Sequence, residues 1–165
     1  MMYKYVDEEK FYSDFYKEIV DVQCGNHYDF NNKQHIEWLK NKIRVEFLSG
    51  GKVLGAYEEN GKPAGFIFYK HDKGLEGVSI CGKKAVILMI EVVEGYRRKG
   101  IGKELIDRVC EEVRSNNAEC LYTDTYAIDK DAIKFYITND FIPVAVHEGE
   151  YGFDDYGQLY LYRKL

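Results

Sequence analysis

The chain has 165 residues, of which 45% are hydrophobic and 31% are charged, and this favours a single soluble globular domain. The net charge of −5 argues against a general nucleic-acid-binding protein, which needs a basic surface to bind phosphates. No apolar run approaches the roughly 18 residues of a membrane-spanning helix, and the first residues lack the apolar core of a signal peptide. We therefore expect a cytoplasmic protein with no nucleic-acid partner and no membrane partner.

Cysteine and aromatic content limit the chemistry further. The four cysteines share no close spacing, so no metal site is expected. Cys110 and Cys120 fall on predicted core positions and are expected to be buried thiols. The 15 tyrosines and nine phenylalanines either form a large aromatic core, which we favour, or line a pocket.

Two helices are predicted in the first third of the chain. After a short strand over 3–6, Asp7 can cap a helix that begins near residue 8. A second helix is expected from 31–32 to about 48. Both helices carry apolar residues at helical spacing: Phe11, Phe15, Ile19 and Val22 in the first, and Ile36, Leu39, Ile43 and Phe47 in the second.

Strands dominate the middle of the chain. Two strands over 52–57 and 63–69 are joined by Asn60-Gly61, a strong hairpin signal. A nearly unbroken apolar run over 85–93 predicts a buried strand. A basic, glycine-rich turn over 95–102 leads into a helix over about 99–115, and a strand over 118–123 completes a β-α-β unit. The helix has one apolar stripe, formed by Ile101, Leu105, Ile106, Val109, Cys110 and Val113.

The last part of the chain is predicted as a helix followed by two strands. Asp129 can cap a helix over 130–138, and Asn139 or Asp140 is expected to be left-handed where the helix ends. Strands over 142–148 and 157–163 are joined by an acidic loop. The predicted fold class is therefore α/β (α+β), with one domain over 1–165 and one mixed sheet.

The glycine-rich turn is suited to hold phosphate. Backbone N–H groups at the start of a helix lack intrahelical acceptors, and the helix dipole favours negative charge there. A Walker loop is excluded because Ile101 stands where the lysine is required. The dinucleotide fingerprint is weak because Leu105 replaces its third glycine.

The turn matches a different signature, R/Q-x-x-G-x-G, as Arg97-Arg98-Lys99-Gly100-Ile101-Gly102. Here the chain resembles the GCN5-related N-acetyltransferases, the GNAT superfamily, and an A-x-x-F-Y sequence over 132–136 supports the resemblance. It implies a GNAT-like single mixed, mostly antiparallel sheet with a central β-α-β unit and helices on both faces. It also implies an acyl-CoA-dependent N-acyltransferase that uses acetyl-CoA.

The resemblance assigns residues to CoA. The pyrophosphate would lie on the turn, and pantetheine would add to the edge of the preceding strand like a short peptide strand. A backbone N–H such as that of Val92 would polarise the thioester carbonyl. The expected CoA-binding residues are Ile90, Val92, Val93, Arg97, Arg98, Lys99, Gly100, Ile101, Gly102, Lys103, Asp129 and Tyr136.

Two residues are candidates for proton transfer. Tyr136 matches the family's general acid, which protonates the departing thiolate; the alternative is a tyrosine that packs beside Phe135. Glu91 is the only charged residue inside the apolar strand and is the candidate general base. The alternatives for Glu91 are a carboxylate that faces solvent or one that pairs with an arginine. Asp124 and Tyr126 are second choices for the base.

The acceptor is expected to be a primary amine of a small molecule or a peptide. The residues expected to line its site are Tyr28, Phe30, Asp124, Tyr126, Tyr151 and Asp154. A rival function from another class is a non-catalytic acyl-CoA-binding or sensor module. A homodimer is left open.

Overall fold

The computed structural model describes residues 1–24, 33–72, 82–147 and 157–165. None of the helices in these ranges is long and apolar enough to cross a membrane. The strands and α-helices are β1 (Met2–Val6), α1 (Glu8–Cys24), α2 (Lys33–Leu48), β2 (Lys52–Tyr57), β3 (Pro63–Asp72), β4 (Lys84–Val92), α3 (Ile101–Ser115), β5 (Cys120–Tyr126), α4 (Lys130–Thr138), β6 (Ile142–His147) and β7 (Gln158–Lys164).

The strands are hydrogen-bonded in the order β1-β2-β3-β4-β5-β7-β6. β4 and β5 pair in parallel, whereas β1–β2, β2–β3, β5–β7 and β6–β7 are antiparallel. The parallel pair is connected through α3, because parallel strands need a crossover. The predicted mixed, mostly antiparallel sheet with a central β-α-β unit is therefore confirmed.

The chain forms two compact units. The first comprises Met1–Lys70 and Leu88–Asp107, and the second comprises His71–Ile87 and Arg108–Leu165. Both β4 and α3 continue from one unit into the other. A single domain over 1–165 stays a prediction.

The first unit is built on an aromatic core. The Phe11 ring lies 4.8 Å from the Phe66 ring and 5.5 Å from the Phe68 ring, between centroids. Phe15 also packs on Phe66, at 5.0 Å. These contacts join α1 to β3 and confirm the predicted aromatic core for this part of the chain. The buried cluster contains Val6, Phe11, Phe15, Ile19, Leu39, Ile43, Val53, Tyr57, Phe66, Phe68 and Met89.

Local signals predicted several helix ends correctly. The Asp7 carboxylate accepts a hydrogen bond from the Lys10 backbone N–H at 2.8 Å, and α1 begins at the next residue, Glu8. Asp129 caps α4 in the same way, and Asp140 is left-handed with φ of 66°. All six residues of the predicted α3 stripe are buried.

Several boundaries differ from the predictions, among them those of α3 and β5. α3 begins at Ile101 rather than Lys99 because the chain first makes a 3-10 turn, Glu94–Tyr96, and then a left-handed residue, Arg98. β5 begins at Cys120 rather than at 118 because left-handed Asn117 ends the preceding turn. The strand continues to Tyr126, three residues beyond the predicted end.

Cys110 and Cys120 have different states. Cys110 is a buried free thiol on α3, as predicted. Cys120 is buried as well, but it is disulfide-bonded, so the prediction of a free thiol at this position is wrong. Spacing along the sequence cannot reveal which cysteines meet in the fold.

Replacing Phe11 by alanine should destabilise the protein by about 4 kcal/mol, because the change removes a fully buried ring and leaves a cavity. Tyr16→Ala on the same helix is the control, since Tyr16 is 38% exposed and its loss should cost less than about 1 kcal/mol. Urea unfolding of both variants measures the difference. Equal losses would contradict the described core.

Candidate active site

The strand-turn-helix from β4 to α3 has a defined backbone path. The Tyr96 N–H donates to the Val93 carbonyl at 2.7 Å, which closes the 3-10 turn. Arg98 and Gly100 then adopt left-handed conformations, with φ of 63° and 83°. Glycine takes this conformation without strain, whereas arginine does not. The strained arginine marks this turn as a candidate functional feature.

The start of α3 offers a row of hydrogen-bond donors. In the described part of the chain, the backbone N–H groups of residues 98–103 have no acceptor. The first helical hydrogen bond comes only with Glu104, whose N–H donates to the Gly100 carbonyl at 3.0 Å. These donors and the positive end of the helix dipole fit a phosphate group, as the sequence predicts.

The basic side chains of the turn have different environments. The Lys99 ammonium donates to the Gly95 carbonyl at 2.9 Å and lies 5.2 Å from the centre of the buried Tyr96 ring. Lys103 pairs with Asp107 one helical turn further on. Arg98 is exposed, and no partner for its guanidinium lies within the described ranges. Arg98 is therefore the basic side chain best placed to meet an added anion.

Glu91 and Arg97 form an ion pair beside the end of β4. The Arg97 Nη2 lies 2.9 Å from the Glu91 Oε1. The same carboxylate oxygen accepts a hydrogen bond from the Val92 N–H at 3.0 Å, and the Arg97 Nε donates to the Val92 carbonyl at 3.0 Å. Of the alternatives for Glu91, the structure shows pairing with an arginine. Both backbone polar groups of Val92 are held by this pair.

Other predicted CoA-binding residues lie where the sequence places them. Ile90 and Val92 are on β4, and Val93 follows it directly. The parallel pairing of β4 with β5 ends at Val86↔Tyr122, although β4 continues to Val92. The edge predicted to take pantetheine begins after this point.

Tyr136 lies on α4 in the second unit. The residue is 6% exposed, and its ring packs on Phe135 and Phe141, each at 5.3 Å between centroids. Its hydroxyl lies 3.5 Å from the Thr123 Oγ1. Thr123 is 2% exposed and also lies 3.4 Å from the Ile87 carbonyl oxygen. No sequence signal pointed to Thr123, because only the fold brings β5 against this tyrosine.

The other predicted site residues have simpler environments. The Asp129 Oδ1 accepts the Ala132 N–H at 2.9 Å, so this carboxylate serves as the helix cap. Asp124 and Tyr126 are exposed on the second half of β5. The described ranges contain no group of three metal-ligating side chains. Four predicted acceptor-site residues lie outside the described residues: Tyr28, Phe30, Tyr151 and Asp154.

A strand that leads into a helix whose first N–H groups lack acceptors is an arrangement that suits a phosphorylated ligand. The sequence profile of the acetyltransferase (GNAT) family matches residues 10–141. The chain belongs to this family, which confirms the resemblance. No curated protein sequence is significantly similar to the chain.

Solved structures share the fold. A Bacillus anthracis protein in complex with acetyl coenzyme A is 24% identical, with a TM-score of 0.60 over 70% of this chain and 63% of its own. Ard1 from Thermoplasma volcanium is 20% identical, with a TM-score of 0.68 over 99% of this chain and 97% of its own. An aminoglycoside 6′-N-acetyltransferase complexed with coenzyme A is 14% identical, with a TM-score of 0.72 over 99% of this chain and 97% of its own.

The strain at Arg98 can be measured by comparing two substitutions. Arg98→Gly should be more stable than Arg98→Ala by about 1 kcal/mol, because only glycine takes the left-handed conformation freely. Both variants lose the same charge, so their difference reports the backbone alone. Thermal unfolding of the pair gives this difference, and equal stabilities would show that Arg98 is not left-handed in solution.

Proposed function

We propose that the protein is an N-acetyltransferase that moves an acetyl group from acetyl-CoA to a primary amine by direct transfer in a ternary complex. The observation that carries the proposal is the start of α3, where the N–H groups of residues 98–103 have no acceptor in the described part of the chain. They form a site for the pyrophosphate, and Arg98 adds a positive charge beside it. Acetyl-CoA supplies an activated thioester.

Tyr136 is the proposed general acid. The amine nitrogen forms a bond to the acetyl carbon, the carbon–sulfur bond breaks, and the tyrosine hydroxyl gives its proton to the leaving thiolate. A phenol is an adequate donor because the leaving group has a thiol-like pKa. The burial of Tyr136 and its two ring contacts hold the hydroxyl in a defined position. Proximity supplies much of the acceleration.

Two carboxylates, Glu91 and Asp124, are candidates for the general base that accepts the amine proton. Glu91 was the first candidate, but its Oε1 is already held by Arg97 and by the Val92 N–H. A carboxylate held in this way is less available to accept the amine proton. Asp124 is exposed on the second half of β5 and is the second candidate. A bound water molecule can relay the proton to either carboxylate.

The acceptor is proposed to be an amine of a small molecule or a peptide. One fold neighbour is an aminoglycoside 6′-N-acetyltransferase, which supports an amine acceptor. Tyr126 is 54% exposed at the end of β5 and is a candidate contact. We also propose that the protein acts in the cytoplasm, which requires that the Cys120 disulfide persists in a reducing compartment. A homodimer is an open alternative to a monomer.

Tyr136→Phe should lower kcat by about 100-fold, because it removes the proton donor and keeps the ring. CoA affinity should change less than about twofold, since the phosphate-binding turn is intact. Thiol release from acetyl-CoA in the presence of an amine panel gives the rate, and calorimetry gives the affinity. Tyr162→Phe, on β7 of the same unit, is the matched control and should keep full activity.

The same assay tests the rival function. A non-catalytic acyl-CoA-binding module would bind CoA tightly and release no thiol with any amine. Equal rates of acetyl transfer for the wild type and Tyr136→Phe would show that Tyr136 is not the general acid. A wild-type protein that binds no CoA would contradict the proposed function.

A further inference from the structure

The two backbone polar groups of Val92 point away from β3. The neighbouring residues pair with that strand: the Val93 N–H donates to the Ala64 carbonyl at 3.0 Å. The Glu91 carbonyl oxygen lies so close to Gly65 that an added Cβ there would meet it at 2.8 Å. Backbone groups alternate in direction along a strand, so the Val92 N–H and carbonyl face the opposite side.

On that opposite side, two side chains make the contacts that a neighbouring strand would make. The Glu91 Oε1 accepts the Val92 N–H, and the Arg97 Nε donates to the Val92 carbonyl, both at 3.0 Å. The ion pair between Glu91 and Arg97 closes a ring of hydrogen bonds around Val92. The pair therefore offers one acceptor and one donor in the places of a peptide carbonyl and a peptide N–H.

We infer that the Glu91–Arg97 pair competes with the pantetheine arm of acyl-CoA for the Val92 backbone, so that Glu91 sets cofactor affinity. The inference rests on the proposed function, in which pantetheine adds to this edge of β4 through its own amides. The single Val92 N–H cannot make a full hydrogen bond to both Glu91 and a pantetheine carbonyl at once. Binding through this N–H must therefore displace the Glu91 carboxylate from Val92.

This role differs from that of a general base. A base must accept a proton from the amine, so its removal slows transfer and leaves CoA affinity unchanged. A competitor weakens CoA binding, so its removal strengthens it. Glu91 is 22% exposed and Arg97 is 56% exposed, so the pair can separate without opening the core.

The test compares CoA affinities by calorimetry. Glu91→Ala should bind CoA about fivefold more tightly than the wild type, because it removes the carboxylate that competes for the Val92 N–H, and one hydrogen bond is worth about this much. Glu91→Gln should show a smaller gain, since its amide oxygen still accepts the Val92 N–H. Glu94→Ala removes an exposed carboxylate from the same turn and should change the affinity less than about twofold.

A fragment of the cofactor separates backbone competition from charge. 3′-Phosphoadenosine 5′-diphosphate lacks pantetheine, so Glu91→Ala should improve its binding less than that of CoA. Equal gains for both ligands, or an equal gain in Glu94→Ala, would show a charge effect alone and overturn the inference. If the wild type binds CoA and Glu91→Ala gives no gain, only the competition is wrong, whereas a wild type that binds no CoA contradicts the proposed function.

Amide hydrogen exchange of the protein without ligand gives an independent readout. The Val92 N–H should exchange about tenfold faster in Glu91→Ala than in the wild type, because its acceptor is gone. The Val93 N–H, which donates to Ala64, is the internal control and should keep its rate. Equal Val92 rates in both proteins would show that Glu91 does not hold this N–H and would overturn the inference.

Discussion

The left-handed backbone at Arg98 and Gly100 is the constraint on which the rest of the site depends. It turns the chain between the end of β4 and the first residue of α3, so that the N–H groups of residues 98–103 meet no acceptor in the described part of the protein. An anion can satisfy such donors without any change in the fold.

The core of the first unit decides which backbone groups of β4 can form hydrogen bonds to a cofactor. Phe66 and Phe68 anchor β3 to α1. β3 in turn binds the backbone on either side of Val92, so the register leaves Val92 facing the other way. A fixed register of this kind links packing to function, because a slip of one residue would present different groups to the cofactor.

Sequence reasoning succeeded where the signal is local. The glycines of the turn, the caps at Asp7 and Asp129, and the apolar stripe of α3 depend on near neighbours along the chain. It failed where the three-dimensional fold decides a backbone conformation or a contact between residues. The start of α3 was misplaced by two residues because nothing in the sequence marks Arg98 as left-handed. The contact between Thr123 and Tyr136 joins a strand to the next helix, and the partner of Glu91 could be named only as an arginine.

Backbone amide shifts on titration with CoA test the central claim most directly. If the turn holds the pyrophosphate, the largest shifts occur at the N–H groups of residues 98–103, and hydrogen exchange at these groups slows. The shifts at the start of α1 should stay small, because that helix start is already capped by Asp7. Shifts that spare residues 98–103 while CoA binds elsewhere would contradict the account.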